Sequence, residues 1–196
     1  MHPPAGRARC RAPLEWHFFG ACDLRWCLCS RPVGLARGRP GEAGGGVGLA
    51  LAGDIAIACQ SAKFKLVFGP NLGIIPDMGA SWFLPNLVGR ARANGLALLG
   101  DDLPAATAKD WGLIWDCVSD DQLLTEAQAI AGRLAEGPTI GLKAVVKAHD
   151  RALSNTLSEQ LEYEKETQRV LFDFPHVAEG VRAFIEKRKP NFRDVS

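Results

Sequence analysis

The stretch Gly73-Ile74-Ile75-Pro76-Asp77-Met78-Gly79-Ala80-Ser81-Trp82 sets a single carboxylate between a proline and a glycine, with apolar residues on both sides. Pro76 fixes its own φ, and Gly79 lets the backbone turn sharply or come close to a ligand. Two readings are open at this point. Asp77 is either the polar N-cap of the helix that follows or an acid/base group held just beyond a strand, where α/β folds bind their ligands.

Working upstream, Lys63-Phe64-Lys65-Leu66-Val67-Phe68 begins with the alternation of a half-buried strand, and Asp54-Ile55-Ala56-Ile57-Ala58-Cys59 is apolar enough for a buried one. Gln60-Ser61-Ala62 between them is short enough for a turn. Before these, Gly44-Gly45-Gly46-Val47-Gly48 leads into the helix-forming run Leu49-Ala50-Leu51-Ala52. Glycines ahead of a helix either leave backbone N–H groups open to an anionic or carbonyl ligand or serve as a linker or a close packing surface. The run is not a dinucleotide fingerprint, because no strand signal precedes it and no G-x-G-x-x-G unit is complete.

Residues 1–43 differ in kind. They are crowded with Arg, Cys, Trp and Pro, without sustained helical or strand periodicity. They are expected to be an unstructured or aberrant extension. Cys10, Cys22, Cys27 and Cys29 fall here, and with His17 they match no zinc-ligand spacing, so no metal is expected.

Downstream the chain reads as helices. Arg90–Leu99 closes at Gly100, and Pro104–Trp111 is a short helix followed by a strand-like Leu113-Ile114-Trp115. Residues 122–135 place Leu123, Ala127, Ile130 and Leu134 on one face and stop at Gly137-Pro138. A helix over 139–151 is expected to turn Leu142, Val145 and Val146 inward. Thr156 with Glu159 forms a capping box for the next helix. Pro175 opens a last one with Val177, Val181, Phe184 and Ile185 as its apolar face. The organisation is therefore 1–43 extension, 44–118 α/β core and 119–196 helical region.

With 196 residues and 47% hydrophobic content, the chain supports a globular domain with a real core. A net charge of +1 gives no electrostatic argument for nucleic acid or a membrane surface. No apolar run approaches the roughly 18 to 20 residues that span a bilayer. Cys59 and Cys117 lie in apolar stretches as small core residues, which suits a reduced, cytoplasmic protein.

Gly44 to Asp54, Ala62-Lys63-Phe64 and Gly73-Ile74-Ile75-Pro76-Asp77-Met78-Gly79, taken together, resemble the crotonase (enoyl-CoA hydratase/isomerase) superfamily. Gly89-Arg90-Ala91, Gly100, Trp111-Gly112-Leu113 and Phe184-Ile185-Glu186-Lys187-Arg188 fit the same pattern in order and spacing. The likeness covers residues 44–193. It implies an α/β fold, a spiral of ββα turns that is incomplete at the N-terminus, followed by a helical region that builds homotrimers or dimers of trimers. It also implies an acyl-CoA thioester as substrate, with coenzyme A part of the substrate and no separate cofactor, no nucleic acid and no membrane.

By position, the resemblance makes Gly45 an oxyanion-hole donor. Backbone N–H groups aimed at a thioester enolate oxygen contribute on the order of 3 kcal/mol each to the transition state. It sets Gly46, Pro76, Gly79 and Trp82 against the substrate. Lys187 either reaches a coenzyme A phosphate, on a neighbouring subunit, or simply closes the helix as a cation. Two departures from the pattern matter. Where hydratases of the superfamily carry two glutamates, this chain has Gly48 and Gly69, which implies that hydration is not its chemistry. Asp77 instead stands where isomerase-type members carry their acid/base carboxylate, with Ile74, Ile75, Met78 and Trp82 expected to desolvate it. The implied reaction is isomerisation of a ring-epoxide phenylacetyl-CoA or a Δ3/Δ2 shift in an enoyl-CoA. The family's loop ending Ala-Gly-x-Asp, which supplies another oxyanion donor, does not precede Gly44. On that ground the alternative expectation is a weak or non-catalytic crotonase-like protein that oligomerises through its helices. His149, on a helix, is expected to be exposed rather than catalytic, and Trp111 and Trp115 are expected in the core or an interface.

Overall fold

Three short parallel strands carry the α/β part. The computed structural model describes residues 45–195 together with the backbone of residues 33–36. Strand β1 (Val33–Ala36) pairs in parallel with β2 (Ile55–Cys59), and β2 pairs on its other edge with β5 (Asp116–Val118). The central position of β2 explains its composition: Ile57, Ala58 and Cys59 are buried, and only an apolar run survives between two neighbours. Ordered structure thus begins inside the segment read as unstructured. Val33-Gly34-Leu35-Ala36 is too short a run, beside Pro32 and Arg37, for a periodicity to declare it.

Between β1 and β2, helix α1 (Gly46–Leu51) buries Val47, Ala50 and Leu51. After β2, the two-residue strand β3 (Lys63–Phe64) pairs antiparallel with β4 (Leu103–Pro104). The strand expected over 63–68 is therefore cut short. Phe64, Leu66 and Phe68 are all buried, so the alternation was a true burial signal. Its partner, however, ends at Pro104, which lacks an N–H and leads into α3 (Ala105–Asp110). Phe68–Leu72 instead closes a π-helical turn.

Helix α2 (Ala80–Leu99) bends at Gly89, whose φ of 77° is not helical, and stops at Gly100. The expected helix from Arg90 is its second limb. Leu113 and Ile114 are buried, but the strand begins only at Asp116, after Trp115 N–H donates to the Ala56 carbonyl at 2.7 Å. Trp115 itself is exposed rather than in the core, and Trp111 is half-buried with the Arg92 guanidinium over its ring at 5.0 Å.

The chain divides into two compact units, residues 1–128 and 129–196, with the division inside α4 (Leu123–Glu136). In the second unit α5 (Thr139–Ala152), α6 (Leu157–Leu171) and α7 (Pro175–Ile185) follow. The Thr156–Glu159 capping box is present in both directions. The face expected of α4 is buried at Leu123, Ala127 and Ile130, but those expected of α5 and α7 are not. On α5 Leu142 and Val146 are half-buried and Val145 is exposed; on α7 Val181, Phe184 and Ile185 are exposed, the last two at 85% and 73%. The residues α7 does bury are Glu179 and Ala183.

Candidate active site

The site is assembled where α1 meets the turn ahead of α2. Gly48 faces that turn so closely that a methyl group on it would stand 2.4 Å from the Met78 carbonyl oxygen and 2.9 Å from that of Asp77. Real Cβ atoms do not approach backbone this way, so the contact demands glycine. Gly69 is similarly pressed on α2, where a methyl would lie 2.7 Å from the Ala97 carbonyl oxygen. Neither position has room for a glutamate side chain.

The turn holds two consecutive residues in the left-handed region, Met78 at φ 51° and Gly79 at φ 84°. Methionine there is strained, and such strain gathers at functional positions. The Ala80 N–H donates to the Asp77 carbonyl at 2.9 Å, and the N–H groups of Trp82 and Phe83 both donate to Gly79 O at 2.9 Å. Gly79 is therefore the N-cap of α2, with no side-chain cap bond. The Asp77 carboxylate does not cap the helix.

Instead it turns towards the glycine run. A methyl on Gly45 would meet Asp77 Oδ1 at 3.2 Å and Met78 Cγ at 3.5 Å, so the carboxylate lies against the backbone at the start of α1. Among the described residues the Asp77 carboxylate takes no hydrogen bond or ion pair. The expected desolvation is absent. Asp77 is exposed, and Ile74, Ile75, Met78 and Trp82 are exposed with it, Ile75 at 78%. They are aligned along the chain as an open apolar rim rather than folded over the acid.

Of the other expected residues, Gly46 opens α1 and is half-buried, as is Pro76. A methyl on Gly79 would stand 2.7 Å from Phe83 Cε2, and the Phe83 ring meets Trp82 edge-on at 5.2 Å. The structure thus brings Gly45, Asp77, Gly79 and Trp82 into one neighbourhood of the first unit. Lys187 belongs to the second, exposed at the end of α7, and His149 on α5 is exposed as expected. Met78 was expected only to desolvate Asp77; its left-handed backbone, which sets the turn, has no sequence signal beyond its place between Asp77 and Gly79. Glu179 was missed too, hidden among ordinary surface glutamates in a charged C-terminal region.

The free thiol of Cys59 is buried and that of Cys117 half-buried, the latter's pKa pushed up chiefly by desolvation. Among the described residues no His, Cys, Asp and Glu cluster that could hold a metal occurs. The N-terminal cysteines lie outside those residues. No described helix is long and apolar enough to cross a membrane.

The family described as enoyl-CoA hydratase/isomerase matches residues 38–195. The 1,2-epoxyphenylacetyl-CoA isomerase of Escherichia coli is 49% identical over 150 residues, which cover 76% of this chain and 57% of that protein. A probable enoyl-CoA hydratase of Rhodobacter capsulatus is 44% identical over 164 residues, 84% of this chain and 63% of the relative. The crystal structure of an enoyl-CoA hydratase from Polaromonas sp. matches with a TM-score of 0.73 at 34% identity, covering 77% of this chain and 58% of the other. The chain belongs to the enoyl-CoA hydratase/isomerase family, and its fold is crotonase-like α/β with C-terminal helices. It spans 57% and 63% of the lengths of the two relatives.

Proposed function

We propose that this protein isomerises an acyl-CoA thioester with Asp77 as its acid/base group, the only candidate among the described residues. The observation that carries the reading is the approach of Asp77 Oδ1 to Gly45, while Gly48 and Gly69 leave no space for a second carboxylate. In a Δ3-enoyl thioester, the Asp77 carboxylate takes a proton from C2, and the resulting dienolate puts negative charge on the thioester oxygen. The Gly45 N–H is the donor for that oxygen. Protonated Asp77 then returns the proton to C4, leaving the double bond between C2 and C3. Atoms balance without water, metal or redox partner. A hydratase needs two groups, one to activate water and one to protonate carbon, and among the described residues only Asp77 stands at the site.

The exposed rim of Ile74, Ile75, Met78 and Trp82 suits an apolar acyl group that covers the carboxylate as it binds, so desolvation comes with the substrate. The relative named 1,2-epoxyphenylacetyl-CoA isomerase favours a ring-epoxide phenylacetyl-CoA, with a straight-chain Δ3-enoyl-CoA as the second candidate. Coenzyme A enters as part of the substrate, with Gly46, Pro76, Gly79 and Trp82 against it and Lys187 of a neighbouring subunit on a phosphate. We place the protein in a reducing, cytoplasmic setting on its free thiols and as a homotrimer or dimer of trimers on the exposed apolar faces of α5–α7.

Mass spectrometry of the products tests the reaction type. Incubated separately with each thioester, the protein is expected to give a product of unchanged mass from at least one of them. A product heavier by one water would overturn the isomerase reading.

A further inference from the structure

Helix α7 ends in an unusual way. The Arg188 N–H donates to the Ala183 carbonyl at 3.0 Å and the Lys187 N–H to that of Phe184 at 3.2 Å, the two bonds of a Schellman turn. Its left-handed position ordinarily takes glycine. Here it is Lys187, at φ 52°. A lysine is a costly choice for that place, and helix-closing charge alone does not require it, because Arg182, Arg188 and Lys189 supply cations within one turn.

Those neighbours are engaged. Arg188 Nη1 and Nη2 donate to the two carboxylate oxygens of Glu179 at 2.7 and 3.1 Å, and its Nε also donates to Glu186. Lys189 pairs with Glu136 at 3.2 Å, and Arg182 lies 4.0 Å from Glu179. Among the described residues Lys187 has no ion pair. Glu179 is also the only buried charged residue described, at 4% exposure, and it accepts from the Asn191 N–H at 2.8 Å. One buried carboxylate thus ties down both the residue after Lys187 and the chain three residues further on.

We infer that Glu179 and Arg188 are positioning residues for Lys187, clamping a strained turn so that its one uncommitted ammonium is presented to an anionic ligand. The inference rests on the reading that Lys187 meets a coenzyme A phosphate and adds what holds it there. A fixed cation forfeits less freedom on binding than a flexible one.

Calorimetric titration of the full chain with coenzyme A, alongside thermal unfolding, tests both layers. Lys187→Gly relieves the left-handed strain and removes the charge, so the variant is expected to unfold at a higher temperature and bind coenzyme A about tenfold more weakly, the worth of one charge-assisted bond. Unchanged affinity in Lys187→Gly would refute the ligand reading and the clamp with it. Glu179→Gln is expected to weaken binding about fivefold in the parent chain and not at all in the Lys187→Gly background, which is the mark of action through Lys187. A full effect of Glu179→Gln in both backgrounds, or in neither, would refute the clamp while leaving the ligand reading intact. If Glu179→Gln does not fold, Arg188→Lys takes its place in the same cycle, since it keeps the charge and loses the two-pronged geometry.

Discussion

Two glycines decide more of the chemistry here than any charged residue does. Gly48 permits α1 to rest on the Asp77–Met78 backbone, and that contact fixes the turn on which the carboxylate stands. Gly48→Ala is expected to destabilise the fold by about 1–3 kcal/mol, the usual cost of forcing extra volume into a packed contact, and to lower turnover as the turn shifts. Denaturant midpoints and product formation read the two effects, and a Gly48→Ala protein as stable as the parent would show the packing to be loose. Restoring a glutamate at Gly48 is for the same reason a route to misfolding and not to hydration. In the sequence Asp77 was legible as important but not as free. Whether an aspartate caps a helix or stands before the cap depends on a shift of two residues, and that shift came from the left-handed φ of Met78, which its side chain does not advertise.

At the scale of elements, periodicity reported burial better than it reported pairing. Phe64, Leu66 and Phe68 alternate inward as strand residues would, yet the ladder ends after Phe64 because its partner runs into Pro104. The capping box at Thr156 was readable because both halves lie within four residues. Helix α7 was only half readable: the sequence carries an apolar stripe, but the face it buries is the one with Glu179 and Ala183. Glu179 also sets an acid limit. The paired Arg188 guanidinium first, and then the Asn191 N–H, lower its pKa from an ordinary 4.5 to about 2. A depressed carboxylate stabilises the fold fully above its unfolded pKa and less as pH falls towards its folded one. Helicity of the C-terminal region is therefore expected to weaken between pH 4.5 and about 2, and Glu179→Gln should flatten that dependence in circular dichroism. An equal slope in both proteins would assign the acid transition to other carboxylates.

For the whole molecule, the fold class and order of elements were legible because glycine, proline and apolar spacing recur along residues 44–193. What covers the apolar faces of α5–α7 was not, since a stripe on a helix looks alike whether it packs on its own chain or another. With Phe184 and Ile185 exposed in the single chain, the proposed trimer is expected to sediment as such, and Phe184→Glu to dissociate it. A monomer at all concentrations in analytical ultracentrifugation would leave those faces unexplained and remove the assembly from the account. The proposed chemistry rests on one carboxylate, Asp77. Its most direct test is isomer formation by Asp77→Asn, which differs from the parent by a single oxygen-to-nitrogen exchange at an exposed side chain that caps nothing. Isomer formation is expected to be abolished while thermal unfolding and coenzyme A binding stay near those of the parent. An Asp77→Asn protein that still isomerises at the parent rate would contradict the proposed chemistry.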